Sequence, residues 1–202
     1  MARKKEFDTE LALESAMQLF WLKGYERTSL NDLLKTMKIG RASFYNAYTD
    51  KHTLFIQVLK RYLKQANDDF ILATLDETAS PLTAIVQIFR EEAEFLAKDM
   101  DCKGCLMVNA EVELMKVDNE SQALIRESNA IVQERFKQAL DKATEKGEIA
   151  TDQDTQALAE HLMNSMRGLK VLGRHSNDLA EFERVVDVTI AALNPTGEIV
   201  TS

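Results

Sequence analysis

The sequence predicts an all-α protein of about nine helices, on three observations. Seven Gly and two Pro in 202 residues are too few to punctuate a many-stranded sheet or barrel. Apolar residues recur at i, i+3, i+4 and i+7 along most of the chain, the spacing of one helix face. Capping residues stand where those runs begin, Asp8, Asp50 and Ser80-Pro81 among them. With 45% hydrophobic residues the chain can bury the core of one large domain or two small ones. No window approaches the length of a membrane span, and the basic start Met1–Glu6 has no apolar run behind it, so a cytoplasmic location is expected. Two Cys, at 102 and 105, cannot form the disulfide framework of a secreted scaffold, which fits a reducing compartment.

Taken in order, the first helix opens at Asp8, buries Ala12, Ala16, Leu19 and Phe20, and closes at Gly24. Thr28 or Ser29 caps a second, short helix carrying Leu30, Leu33, Leu34 and Met37, with Asp32 placed to complete a capping box with Ser29. A third short helix follows Gly40 over Arg41–Tyr48, and Asp50 caps a long fourth one with Leu54, Phe55, Val58, Leu59, Tyr62 and Leu63 in register. Ser80-Pro81 opens a helix with Ile85, Ile88, Phe89 and Leu96 on one side. Further helices are expected over about 105–115, 121–146, 151–173 and 179–194, the third of these capped at Thr151 with Asp154 at N3. Domain limits of 1–50 and 51–195 are expected, with a frayed tail at 196–202.

The net charge of −8 at first argues against a polyanionic partner. Residues 1–64, however, carry twelve Lys+Arg against seven Asp+Glu, a charge of +5, which leaves −13 on the remainder. One basic end on an acidic body suggests a nucleic-acid-binding end joined to a body with another task. Two short helices joined by a tight turn, the second rich in small polar and aromatic residues, form a helix-turn-helix pattern whose second helix enters the major groove. Arg41 can fork onto guanine or phosphate, Ser43 lets the helix approach, and Asn46 can bond a base edge or a phosphate. Tyr45 and Tyr48 pair an apolar ring with a phenolic donor. Lys51 adds a cation in the first turn of the fourth helix, and Arg3, Lys4 and Lys5 form a basic arm that can lie along DNA. The partner implied is double-stranded DNA.

These residues are arranged as in a known family. Leu19-Phe20-Trp21, Lys23-Gly24-Tyr25, Thr28-Ser29-Leu30, Phe44-Tyr45-Asn46-Ala47-Tyr48, Lys51 and Leu54-Phe55 resemble the tetracycline-repressor-like (TetR) family of bacterial transcriptional regulators over about residues 8–60. The resemblance implies an N-terminal helix-turn-helix domain, a C-terminal helical domain that binds a small molecule, and a homodimer formed through the last two helices. It maps Arg41, Ser43, Tyr45, Asn46 and Tyr48 onto the recognition helix and its exit, Thr28 and Ser29 onto the phosphate-facing start of the second helix, and Lys51 onto a phosphate-binding lysine. Each has a bland counterpart: Tyr48 as core, Thr28 as cap. The sequence departs from the family pattern at Gly40, where a capping side chain is usual.

In the second half the residues are read on their own. The last two helices are apolar more than halfway round, and a helix needs an arc of about 100° for its own core, so a second copy of the chain is the expected cover. Leu158, Leu162, Met166, Leu169, Phe182, Val186 and Leu193 are the expected interface residues, against the alternative that both helices are wholly internal. Phe89, Cys105, Met107, Asn109, Phe136 and Met166 are the candidate effector pocket, soft apolar walls with a polar group to orient a ligand. Cys105, at a helix N-terminus beside Lys103, also supports a thiol sensor of oxidants or electrophiles, against a packing role as a small buried hydrophobe. Two Cys with His161 and His175 on separate helices do not make a structural zinc site, and no nucleophile or carboxylate constellation surrounds any of the three His. No metal, cofactor or enzymatic activity is therefore expected. The reading is a bacterial one-component regulator, a repressor released from a palindromic operator by a small-molecule effector, with a helical protein-binding adaptor as the rival from another class.

Overall fold

The computed structural model describes residues 8–114 and 118–193. Helices run over Thr9–Lys23 (α1), Leu30–Met37 (α2), Arg41–Tyr48 (α3) and Lys51–Leu63 (α4); a π-helical stretch, Lys64–Leu72, leads without a break into Ala73–Glu77 (α5). Then follow Pro81–Lys98 (α6), Leu106–Leu114 (α7), Asn119–Glu145 (α8), Thr155–Leu172 (α9) and Leu179–Ala191 (α10). Counting residues 51–77 as one helical run gives nine helices and no strand among the described residues. None of them is long and apolar enough to cross a membrane.

Packing divides the chain into two units, one of residues up to Lys64 together with Cys105–Ile125, the other of Gln65–Gly104 together with the chain from Arg126 onward. In the first unit the helix ends are those that local chemistry dictates. Asp8 accepts the Glu10 and Leu11 amides, Asp50 accepts that of Thr53, and Ser29 and Asp32 form the expected capping box. The core is aromatic: Phe20, Phe44 and Phe55 are fully buried, Phe20 meets Phe55 edge-on at 5.1 Å, and Tyr25 lies 4.8 Å from Phe55. Burying each such ring contributes about 1.5–3 kcal/mol. Trp21 of α1 packs edge-on against Tyr62 of α4 at 5.0 Å, and the Tyr62 hydroxyl donates to Cys105 Sγ at 3.2 Å at the start of α7. α7 thus packs with the N-terminal helices although some forty residues of chain separate it from α4.

The second unit is held by Phe89, Phe136, Leu140, Leu162, Leu169, Phe182, Val186 and Leu193, all fully buried. Ser80 accepts the Thr83 amide with Pro81 at the first helical position, as expected. α9 starts later than expected: Asp154, and not Thr151, is its N-cap and accepts the amides of Gln156 and Ala157, two and three residues on. The expected interface also needs correction. Leu162, Met166, Leu169, Phe182, Val186 and Leu193 are buried inside the chain, and Leu158 packs partly buried against the same core. The apolar side chains of α9 and α10 that stay exposed are instead Val171, Leu179, Val185 and Val188, the last 71% exposed. The larger side chains turn inward because filling the core around α6 uses the most apolar volume.

Candidate nucleic-acid interface

α3 shows how eight residues can be both anchored and available. Phe44 and Tyr48, one turn apart, face inward and are buried. The rest of the helix is thereby turned outward: Arg41, Ala42, Tyr45, Asn46 and Ala47 are exposed and Ser43 is half-buried. Tyr45 rests edge-on against Phe44 at 5.6 Å and keeps about half of its surface open. The Arg41 guanidinium donates to Asn31 Oδ1 of α2 at 3.0 Å, which holds it between the two short helices. The turn from α2 places Lys38 in the left-handed region, φ 55°, and buries Ile39. Gly40 occupies the N-cap of α3 with no side-chain hydrogen bond, leaving the helix N-terminus uncovered by its own chain.

Three of the residues expected at DNA direct their side chains at the backbone or core of the first unit. Thr28 is fully buried and its hydroxyl donates to the Gly24 carbonyl at 2.6 Å, so its side chain cannot reach a phosphate. The Tyr48 hydroxyl lies in the core with no hydrogen-bond partner among the described residues; burial, helped by the negative charge of Glu10, pushes its ionisation above the usual tyrosine range. The Lys51 ammonium donates to the carbonyls of Tyr25 at 2.9 Å and Thr28 at 3.0 Å and sits 4.1 Å over the Tyr25 ring, so it ties down the α1–α2 turn. Ser29 is exposed, with its hydroxyl engaged in the capping box; hydrogen bonds from its hydroxyl and its amide hold the Asp32 carboxyl below the usual range. Arg3 and Lys4 lie outside the described residues, as does Lys5.

The candidate pocket residues divide between the units. Phe89, Phe136 and Met166 belong to the core of the second, whereas Cys105, Met107 and Asn109 lie in the first. Cys105 is 1% exposed and accepts the Tyr62 hydroxyl, and the Lys103 ammonium faces Asp99 at 3.8 Å. Both observations favour the packing role of this thiol over the sensor. Cys102, half-buried with φ 48°, is also a free thiol. No three His, Cys, Asp or Glu side chains are grouped to hold a metal ion among the described residues.

Two polar contacts that periodicity does not announce complete the first unit. Glu113 of α7 accepts the amide of Tyr25 through Oε2 at 2.9 Å and that of Glu26 through Oε1 at 2.8 Å, 88 and 87 residues away in sequence. Gly24 permits this: with φ 82° it suits no other residue well, and a Cβ there would stand 2.9 Å from Glu113 Oε2. Asp118, at the start of α8, meets His52 Nε2 at 3.0 Å and also accepts the Ser121 hydroxyl. Burial opposes ionisation of Asp118, but the hydrogen bonds from Ser121 and His52 outweigh it and hold the carboxyl below its usual range.

Residues 12–58 match the family described as bacterial regulatory proteins, tetR family, and residues 81–189 match the tetracyclin repressor-like, C-terminal domain. The HTH-type transcriptional regulator YezE of Bacillus subtilis (strain 168) is 33% identical over 195 residues, 96% of this chain and 100% of its own length. The HTH-type transcriptional repressor ComR of Escherichia coli (strain K12) is 30% identical over 93% of this chain and 90% of its own. Among solved structures, a cysteine-substituted form of the TetR family regulator CifR, in complex with 26-base-pair operator DNA, superposes with a TM-score of 0.81 at 28% identity, covering 94% of this chain and 99% of that one.

Proposed function

The chain belongs to the TetR family of DNA-binding transcriptional regulators and not to a family of enzymes, and from that premise we propose that it is a repressor that holds a palindromic operator as a homodimer and leaves it when a small-molecule effector binds. The observation that carries this reading is α3. Its two inward anchors, Phe44 and Tyr48, fix the helix so that Arg41, Tyr45 and Asn46 project together with Ser43 at the level of the surface. Side chains of this set read base edges and phosphates from a helix lying in the major groove. Gly40 brings the free amides at the start of α3 close to a phosphate without an intervening side chain.

The homodimer reading is supported by Val185 and Val188, exposed apolar side chains about 60° apart on α10, which a second copy would cover. Two copies related by a two-fold axis present two α3 helices, which must stand about 34–36 Å apart to enter successive major grooves on one face of the duplex. The effector is assigned to the second unit, with Phe89, Phe136 and Met166 as apolar walls, and acts by changing that separation. Nothing in the site calls for a metal or cofactor, and the place of action is the cytoplasm.

Selection of bound sites from random duplex DNA tests the reading. The expected result is an inverted repeat with half-sites about one helical turn apart, bound with an affinity that falls steeply as salt rises. Sites without two-fold symmetry would overturn the dimeric reading, and an absence of any preferred, salt-sensitive site would leave a helical protein-binding adaptor.

A further inference from the structure

The α1–α2 turn is gripped from two sides. Its amides at Tyr25 and Glu26 are both taken by Glu113, and its carbonyls at Tyr25 and Thr28 are both taken by Lys51. Lys51 is the first residue of α4, the helix next to the recognition helix, whereas Glu113 belongs to α7, which joins this unit from a distant part of the chain. An anion and a cation thus neutralise the four polar groups of one tight turn, each charge forming hydrogen bonds of 2.8–3.0 Å. A Cβ at position 24 would stand 2.9 Å from Glu113 Oε2, so the absence of a side chain at Gly24 is what leaves the carboxylate its place on the turn.

We propose that Glu113 is a positioning residue for operator recognition: by holding α7 on the α1–α2 turn it makes α1–α4 and α7 one rigid reading head, and so fixes the direction in which α3 is presented. The proposal rests on the reading that two copies present α3 to paired half-sites. In that geometry a small rotation of each head changes the spacing of the two α3 helices, so loosening the clamp costs spacing discrimination before it costs contact with either half-site. Lys51 alone cannot supply this, because α4 and the turn it binds already belong to the N-terminal helices. Glu113 and the His52–Asp118 pair join the 105–125 stretch to the N-terminal helices by hydrogen bonds to a carboxylate.

The test uses the full-length protein, the operator selected from random DNA, and two further duplexes in which the half-site spacing is one base pair shorter or longer. Wild type is expected to prefer its own spacing by about tenfold, while Glu113→Ala binds that spacing about tenfold more weakly and distinguishes the three duplexes by no more than about twofold. Glu113→Gln, whose amide oxygen can accept one of the two amides, is expected between them. Hydrogen exchange at the Tyr25 and Glu26 amides should rise by about tenfold in Glu113→Ala while the α6 amides exchange as in wild type. If the alanine variant melts early, the glutamine variant carries the spacing comparison. A wild type that favours one spacing beside variants that favour it equally would overturn the role of Glu113 alone. A wild type that binds all spacings alike would overturn the paired-half-site reading and this proposal with it.

Discussion

Replacing Tyr48 by Phe removes one oxygen from the middle of the first unit. That oxygen is buried, lacks a hydrogen-bond partner among the described residues and sits on a side chain only 3% exposed. A buried hydroxyl left unsatisfied costs about 1–3 kcal/mol, and an apolar replacement of the same shape recovers a part of that. Taking about 1 kcal/mol as the gain, the midpoint of thermal unfolding of a chain this size should rise by about 2–4 °C. The ring stays, and with it the packing against Phe44 at 5.7 Å. Operator affinity should be unchanged, since the hydroxyl cannot reach a phosphate. The alkaline limb adds a check of sign. Because the folded state holds the phenol protonated to higher pH than the unfolded chain does, wild type loses stability as pH climbs past about 10. The Phe variant should lose less there. Calorimetry and fluorescence anisotropy on operator DNA read both properties. A midpoint lowered by more than about 2 °C, or an operator affinity reduced by about tenfold, would show that the hydroxyl has a partner and that the placement of α3 argued here is wrong.

Three further outcomes follow from the same residues. Arg41→Ala should relax base preference at one position per half-site by about 1–3 kcal/mol, measured by anisotropy on single-base operator variants; an equal loss on operator and random duplexes would mark Arg41 as a phosphate contact. Val188→Glu places a charge on the exposed side of α10 without disturbing the core, and should give a folded monomer in sedimentation with operator binding abolished; a dimer that still binds would move the interface elsewhere. Asp118→Asn should flatten the acid limb of stability: the wild-type carboxyl, held below its usual range when folded, contributes stability above about pH 4 that is lost as pH falls through its folded value. Denaturant melts from pH 3 to pH 7 read the difference, and parallel curves for the two proteins would count against the His52–Asp118 contact.

Much of the first unit was legible because its determinants are local. The caps at Asp8, Ser29 and Asp50 each act over two or three residues, and the inward pair Phe44 and Tyr48 shows as a one-turn spacing. The backbone contacts of Thr28 and Lys51 are not legible for a different reason. A polar side chain at a helix start suits a phosphate and a nearby carbonyl equally, and only the folded turn supplies the carbonyls of Gly24, Tyr25 and Thr28. Glu113 gave no signal, since its partners are backbone amides nearly ninety residues away and a backbone amide leaves no mark on composition. On α10 the periodicity announced two apolar faces but could not rank them: Val186 went to the core and Val185, its neighbour, to the surface. Adjacent residues on a helix differ by about 100° in direction, so a list drawn by hydrophobicity alone mixes the two faces.

The discontinuous make-up of the first unit bears on how such regulators can be recombined. A chimaera that joins the first 64 residues of this chain to a foreign effector-binding body inherits α3 intact but leaves behind α7, and with it Glu113, Asp118 and the Cys105 sulfur that receives the Tyr62 hydroxyl. The graft then exposes the apolar flank of α4 and orphans two amides of the α1–α2 turn. Transferring both segments, or writing the α7 contacts into the recipient body, is the minimum that keeps the transplanted unit whole. Shuffled regulators built from a single crossover near residue 64 should be poorly soluble as a class, while those with crossovers placed to retain 105–125 should survive.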